Sequence, residues 1–221
     1  MELKLKYYSI ISSIFVAVLL ISNTVATKLF SIGPLIFTGA ILVFPISYIF
    51  GDILTEVYGY ARTKRVIWTG FLALAFMSFI YWLVGILPAA PGWENQTAYA
   101  QILGIVPRIV FASIVAYWAG EFSNSFILAK LKLKTKGKKL WIRTISSTIV
   151  GQAIDTSLFV IIAFVGSISA MTLILAIISG YLFKVVYEII ATPITYKIVN
   201  FLKKAEGIDY FDYDTKFNPF T

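Results

Sequence analysis

The sequence predicts an all-α polytopic membrane protein with six transmembrane helices and both termini in the cytoplasm. Three observations predict it. First, 59% of the 221 residues are hydrophobic and only 14% charged, against roughly a quarter charged in a soluble domain. The mean hydropathy is +0.84. Second, residues 7–27, 29–51 and 66–93 carry no charge, and each run reaches the about 20 residues that cross a hydrocarbon core. Third, lysine and arginine gather in alternate connections, as they do in membrane proteins whose basic loops stay inside.

The first span is read at 8–28. It follows Lys4 and Lys6, but its apolar run is too long for a signal peptide and no A-x-A site follows, so it is taken as retained. The second span, 33–59, contains Pro45 and ends on Asp52 and Glu56. The third, 65–88, runs into Pro88, Pro91 and Gly92, which break it into an outer loop. The fourth, fifth and sixth are read at 105–129, 143–166 and 171–200. They stay overwhelmingly apolar despite Arg108, Glu121, Asp155, Lys184 and Glu188. Residues 1–204 form one transmembrane domain on this reading, and 205–221 form an aromatic, acidic cytoplasmic tail.

The basic groups sort cleanly. Lys4 and Lys6 precede span one. Arg62, Lys64 and Arg65 follow span two, Lys130 to Lys139 and Arg143 follow span four, and Lys197, Lys203, Lys204 and Lys216 close the chain. The other connections hold only Lys28. The net charge of +8 is therefore a topology and lipid-headgroup signal, not a nucleic-acid surface. Trp68, Trp82, Trp93 and Trp141 fall near span ends, where tryptophan belts sit. Trp118 lies deeper and is a candidate to face a site. With no cysteine and no histidine, disulfides, thiolate metal sites and histidine acid–base catalysis are excluded, and no cofactor is expected.

An ionisable side chain at the centre of a membrane helix costs about 2.5–3.5 kcal/mol on insertion scales. The chain nonetheless carries Glu121 with Asn124 in span four, Gln152 with Asp155 in span five, and Lys184 with Glu188 in span six. Each pair lies three or four residues apart, hence on one helix face. Lys184 with Glu188 also reads as an ion pair within its helix, though in the less favourable order. Arg108 starts span four, where it can snorkel, and Asn23 lies in the outer part of span one. Structural pairing between helices explains any one pair. Three pairs at one depth favour a polar cavity. Pro45 and Pro193 each free a carbonyl, and broken helices tend to line cavities. Gly51, Gly120, Gly151 and Gly180 allow close helix approach.

Asp52 and Glu56 sit in the last turns of span two, against the helix dipole. Arg62, Lys64 and Arg65 are the near cations available to hold them. They read either as an interfacial anchor or as an inner gate that binds a cation or amine.

The stretch FPISYIFGDILTEVYGYARTKRVIWTGF, residues 44–71, resembles the signature of the queuosine precursor transporters, the YhhQ-type branch of the vitamin uptake transporter (VUT) group. ISNTVATK at 21–28, ASIVAYWAGEFSNSFILAKLK at 112–132 and RTISSTIVGQAIDTSLF at 143–159 extend the resemblance. It implies uptake of 7-deazaguanine bases (7-cyano-7-deazaguanine, 7-aminomethyl-7-deazaguanine or queuine) across the cytoplasmic membrane. A guanine-like edge would suit Asp155 or Glu121. Gln152, Asn23 or Asn124 would serve the carbonyl side, and Trp118, Phe159 or Tyr181 would stack on the ring. Glu56 or Glu188 would meet an aminomethyl cation. The competing readings are a substrate-capture subunit of an ATP-driven uptake system, a membrane enzyme and a lipid-binding bundle. Without a G-x-S-x-G elbow or a metal-ligand cluster, the enzyme reading has nothing to stand on. A homodimer is plausible for so small a bundle.

Overall fold

The computed structural model describes residues 5–32, 35–166, 169–213 and 215. Lys4 and Lys216 lie outside the described residues. Helix α1 (Tyr8–Val25) leads into a hairpin of β1 (Leu29–Ile32) and β2 (Leu35–Thr38), then a 3₁₀ turn (Gly39–Leu42). There follow α2 (Phe44–Tyr58), α3 (Tyr60–Ile86), α4 (Gln96–Leu103), α5 (Val106–Lys134), α6 (Leu140–Phe164) and α7 (Ala170–Glu206). Five of these helices, α1, α3, α5, α6 and α7, are long and apolar enough to cross a membrane.

The predicted second span is corrected. Residues 29–38 form an antiparallel hairpin with Phe30 opposite Phe37. The segments LFSI and LIFT are rich in the aromatic and β-branched residues that favour strands. The Gly39 N–H donates to the Lys28 carbonyl at 2.7 Å and closes the hairpin. Helix proper starts only at Phe44, so Pro45 stands in the first turn of α2. A missing N–H costs little there, and no mid-span kink forms at Pro45. With 15 residues, α2 is about 22 Å long at 1.5 Å per residue.

Gly59 alone separates α2 from α3. Its φ of +87° is open to glycine and strained for most other residues. Arg62, Lys64 and Arg65 therefore ride on the first turns of α3 rather than in a loop. Helix α4 lies within the predicted outer loop. At the other end, α7 runs 37 residues through Pro193 without a break.

Two close approaches set the bundle. Gly120 of α5 and Gly151 of α6 face each other. A Cβ on Gly120 would lie 2.8 Å from the Gly151 carbonyl, and one on Gly151 would lie 2.9 Å from the Gly120 carbonyl. Gly51 of α2 lies against the Glu121 carboxylate of α5. An aromatic cluster of Phe15, Phe44, Tyr48, Phe71 and Tyr117 fills the space between α1, α2, α3 and α5.

One end of the bundle is tied by the chain's two extremities. Glu206, the last residue of α7, accepts from the backbone N–H groups of Lys6 and Tyr7 at 2.8 and 2.6 Å. It also accepts from the Tyr58 hydroxyl at 2.9 Å. The segment after α7 then docks on the same end. Asp212 accepts the Tyr60 N–H, capping α3, and Tyr210 lies against Gly59.

Candidate functional site

At the tied end, Glu56 is fully buried and sits in a cage of cations. Arg143 of α6 donates to both its carboxylate oxygens. Lys203 of α7 donates to Oε1 at 2.6 Å. Lys132 of α5 donates to the Glu56 carbonyl at 2.6 Å and to Asp209 at 2.7 Å. The expected partners were Arg62, Lys64 and Arg65. Arg62 instead donates to the Tyr58 carbonyl and lies over the Tyr210 ring. The true partners lie far away in sequence. Nothing in the sequence marked any of them as the partner of Glu56.

Deeper in the bundle, α2, α5, α6 and α7 bury Asp52, Glu121, Asn124, Gln152 and Glu188. Each is at most 2% exposed. Asn124 donates its amide N–H to Asp52 Oδ1 at 2.7 Å, and Ser125 donates to Glu121 Oε1 at 3.2 Å. The second oxygens of Asp52 and Glu121, Glu188 Oε1 and the amide oxygens of Asn124 and Gln152 have no hydrogen-bond partner. The intrahelical pair of Lys184 with Glu188 is not formed. Lys184 instead reaches across to α6 and donates to Asp155 Oδ2 at 2.7 Å.

That cross-helix pair forms one wall of a cavity of about 130 Å³. Asn23 and Ser22 of α1, Phe37 and Thr38 of the hairpin, Phe44 of α2, and Phe159 of α6 contribute the others. The Lys184 ammonium stands 5.1 Å from the Phe44 ring centroid and 5.6 Å from that of Tyr48, within cation–π range. Asn23 donates to the Leu19 carbonyl at 2.9 Å, leaving its own carbonyl oxygen unpartnered. The structure thus brings Asn23, Asp155 and Lys184 together at one cavity. Asp52, Glu121, Asn124, Gln152 and Glu188 are buried outside its lining.

Two candidates stand elsewhere. Arg108 is exposed and donates to the Val165 carbonyl at 3.3 Å, tying α5 to the end of α6. Trp118 is half-buried against Phe122, with ring centroids 5.9 Å apart. Phe37 and Thr38 were missed because the hairpin was read as helix. Among the described residues, no group of three or more acidic side chains is placed to hold a metal ion.

The sequence profile of the family described as "Putative vitamin uptake transporter" matches residues 38–198, from the end of the hairpin through most of α7. The chain belongs to this family. Among curated proteins, this vitamin uptake transporter family member is 30% identical over 146 residues to a "Probable queuosine precursor transporter" of Bacillus subtilis (strain 168). That match covers 66% of this chain and 64% of the relative. It is 25% identical over 121 residues to the "Queuosine precursor transporter" of Escherichia coli (strain K12), covering 55% and 52%. The chain thus matches a little over half to just under two thirds of these relatives' length. No solved structure matches it significantly.

Proposed function

We propose that the protein imports 7-deazaguanine bases, the precursors of queuosine or archaeosine, across the cytoplasmic membrane. In this proposal it makes six crossings, with both termini inside. The hairpin, 3₁₀ turn and α2 together form the second crossing. The relatives' names supply the substrate class. The observation that carries the reading is the cavity itself, where a buried carboxylate and an amide meet aromatic walls.

Asp155 is the group that would accept the paired N–H donors of a guanine-like edge. Lys184 holds it in place until the base arrives. Asn23 would serve the polar rim of the ring, and Phe44 and Phe159 its faces. Hydrogen bonds to a charged partner are worth about 1.5–3 kcal/mol, or about 10- to 100-fold in affinity. Asp155→Asn should therefore reduce uptake by that order.

The test is the queuosine content of tRNA in a bacterial strain that can neither make nor import the precursor. The strain carries this protein and is fed each deazaguanine in turn. Restoration by one base names the substrate. Restoration that survives Asp155→Asn at full rate removes that residue from the site. No restoration by any base, with the protein present in the membrane, overturns the substrate assignment.

A further inference from the structure

We infer that the buried carboxyl groups beside the cavity form a proton site, in which Asp52, Glu121 and Glu188 take up and release the protons that drive uptake and Asn124 is hydrogen-bonded to Asp52. The coupling role rests on the proposed transport; the site itself does not.

Three carboxylates from three helices are buried here, and the Glu121 carboxylate packs against Gly51, the neighbour of Asp52 in α2. Asp52 lies within electrostatic reach of Glu188, Glu121 and Glu56, and Glu121 within reach of Asp155 and Glu188. The nearby cations are already engaged. Lys132, Arg143 and Lys203 serve Glu56, and Lys184 serves Asp155. Helix α1 carries no charge, and the α3 cations Arg62, Lys64 and Arg65 sit in its first two turns, at the Glu56 end. The tyrosines facing the group are Tyr48 of α2 and Tyr117 of α5.

Donor accounting then points to protons. A carboxylate only accepts hydrogen bonds, whereas a carboxylic acid also donates one. The Asn124 amide and the Ser125 hydroxyl are the donors serving Asp52 and Glu121. The unpartnered carboxyl oxygens need more. The Asn124 side chain is 1% exposed. Its amide head is fixed by its bond to Asp52, yet its carbonyl oxygen has no donor. A proton on a neighbouring carboxyl supplies one. The base is an unsuitable occupant, because none of these side chains lines the cavity.

The site is tested first without substrate. Infrared difference spectra of the purified full chain in lipid vesicles are recorded between acid and alkaline pH. The expected result is a titrating C=O band of protonated carboxylic acid, reduced in Glu188→Gln. Glu121→Gln is the second variant should the first fail to fold. The vesicles are then given 7-cyano-7-deazaguanine. Glu188→Gln should lose accumulation driven by a pH gradient relative to its exchange of the base. No titrating band in the wild type overturns the proposal. So does a band that responds to sodium and not to pH, or a Glu188→Gln variant that accumulates like the wild type. A normal band with neither exchange nor accumulation in the wild type supports the proton site and overturns the transport reading instead.

Discussion

Glu56 shows how a single residue organises the tied end. A buried carboxylate without a counter-charge costs several kcal/mol. Here Arg143, Lys203 and Lys132 surround it, so four helices are bound at one point. Arg143→Ala should destabilise the protein by about 3–5 kcal/mol, because it leaves a buried charge short of its main donor. Arg143→Lys should recover little, since an ammonium cannot reproduce the fork. Thermal unfolding in detergent checks both, and an Arg143→Lys variant as stable as the wild type would contradict the bidentate role. The sequence marked Glu56 as a charge in need of a partner, because burial cost is local. It did not reveal the partner, because Arg143 lies 87 residues away and only the packing of both α2 and α6 against α5 and α7 brings them together. The same holds for Asp155, which was singled out correctly as deep and polar, while its bond to Lys184 was assigned to Glu188 instead.

At the scale of elements, the crossing of α5 on α6 decides whether the site exists. Gly120 and Gly151 let the backbones touch, which sets Asn124 against Gly151 and Asp155 against Gly120. A Cβ on Gly151 would stand 2.8 Å from the Asn124 Cβ, and one on Gly120 would stand 2.6 Å from the Asp155 Cβ. Neither neighbour can turn aside as a flexible chain end would. Gly151→Ala should therefore cost about 1–3 kcal/mol, the usual range for overpacking, and should depress uptake by separating the helices. Gly85→Ala in α3 is the matched control. Its Cβ would meet only Tyr99, at 3.5 Å, so it should be neutral or gain up to about 1 kcal/mol in helix propensity. Equal melting shifts for the two variants would sink the close-packing argument. These glycines were legible in the sequence as small residues, but small residues are common in any bundle and their facing partners were not. The hairpin was less legible. A hydropathy window reads composition, and LFSI and LIFT are as apolar as a helix; the signal was the Gly33-Pro34 pair between two short β-prone runs.

For the whole molecule, the proposed threading through the membrane turns on the connection from α1 to α3. The start of α1 meets the end of α7 through Glu206, so both lie at one end of the bundle. Five long helices are an odd number of crossings, and an odd number would put these two points on opposite sides. In the proposed six-crossing topology, the sixth crossing is the stretch from 29 to 58. It begins where Gly39 packs on the end of α1 at Val25 and finishes where Tyr58 bonds to Glu206. It therefore covers the full height of the bundle, although α2 alone is shorter than the about 30 Å hydrocarbon core. The tied end also collects Arg62, Lys132, Arg143 and Lys203, which the charge rule assigns to the cytoplasm. The chain has no cysteine, so single cysteines can report sidedness directly. With a membrane-impermeant maleimide, Lys28→Cys and Asn95→Cys should label in intact cells. Arg65→Cys and Lys138→Cys should label only after permeabilisation. A reversed pattern would invert the orientation and keep the fold. Labelling of Lys28→Cys and Arg65→Cys from the same side would instead make the hairpin and α2 a re-entrant segment. The contact of Glu206 with Lys6 and Tyr7 could then not form in a bilayer.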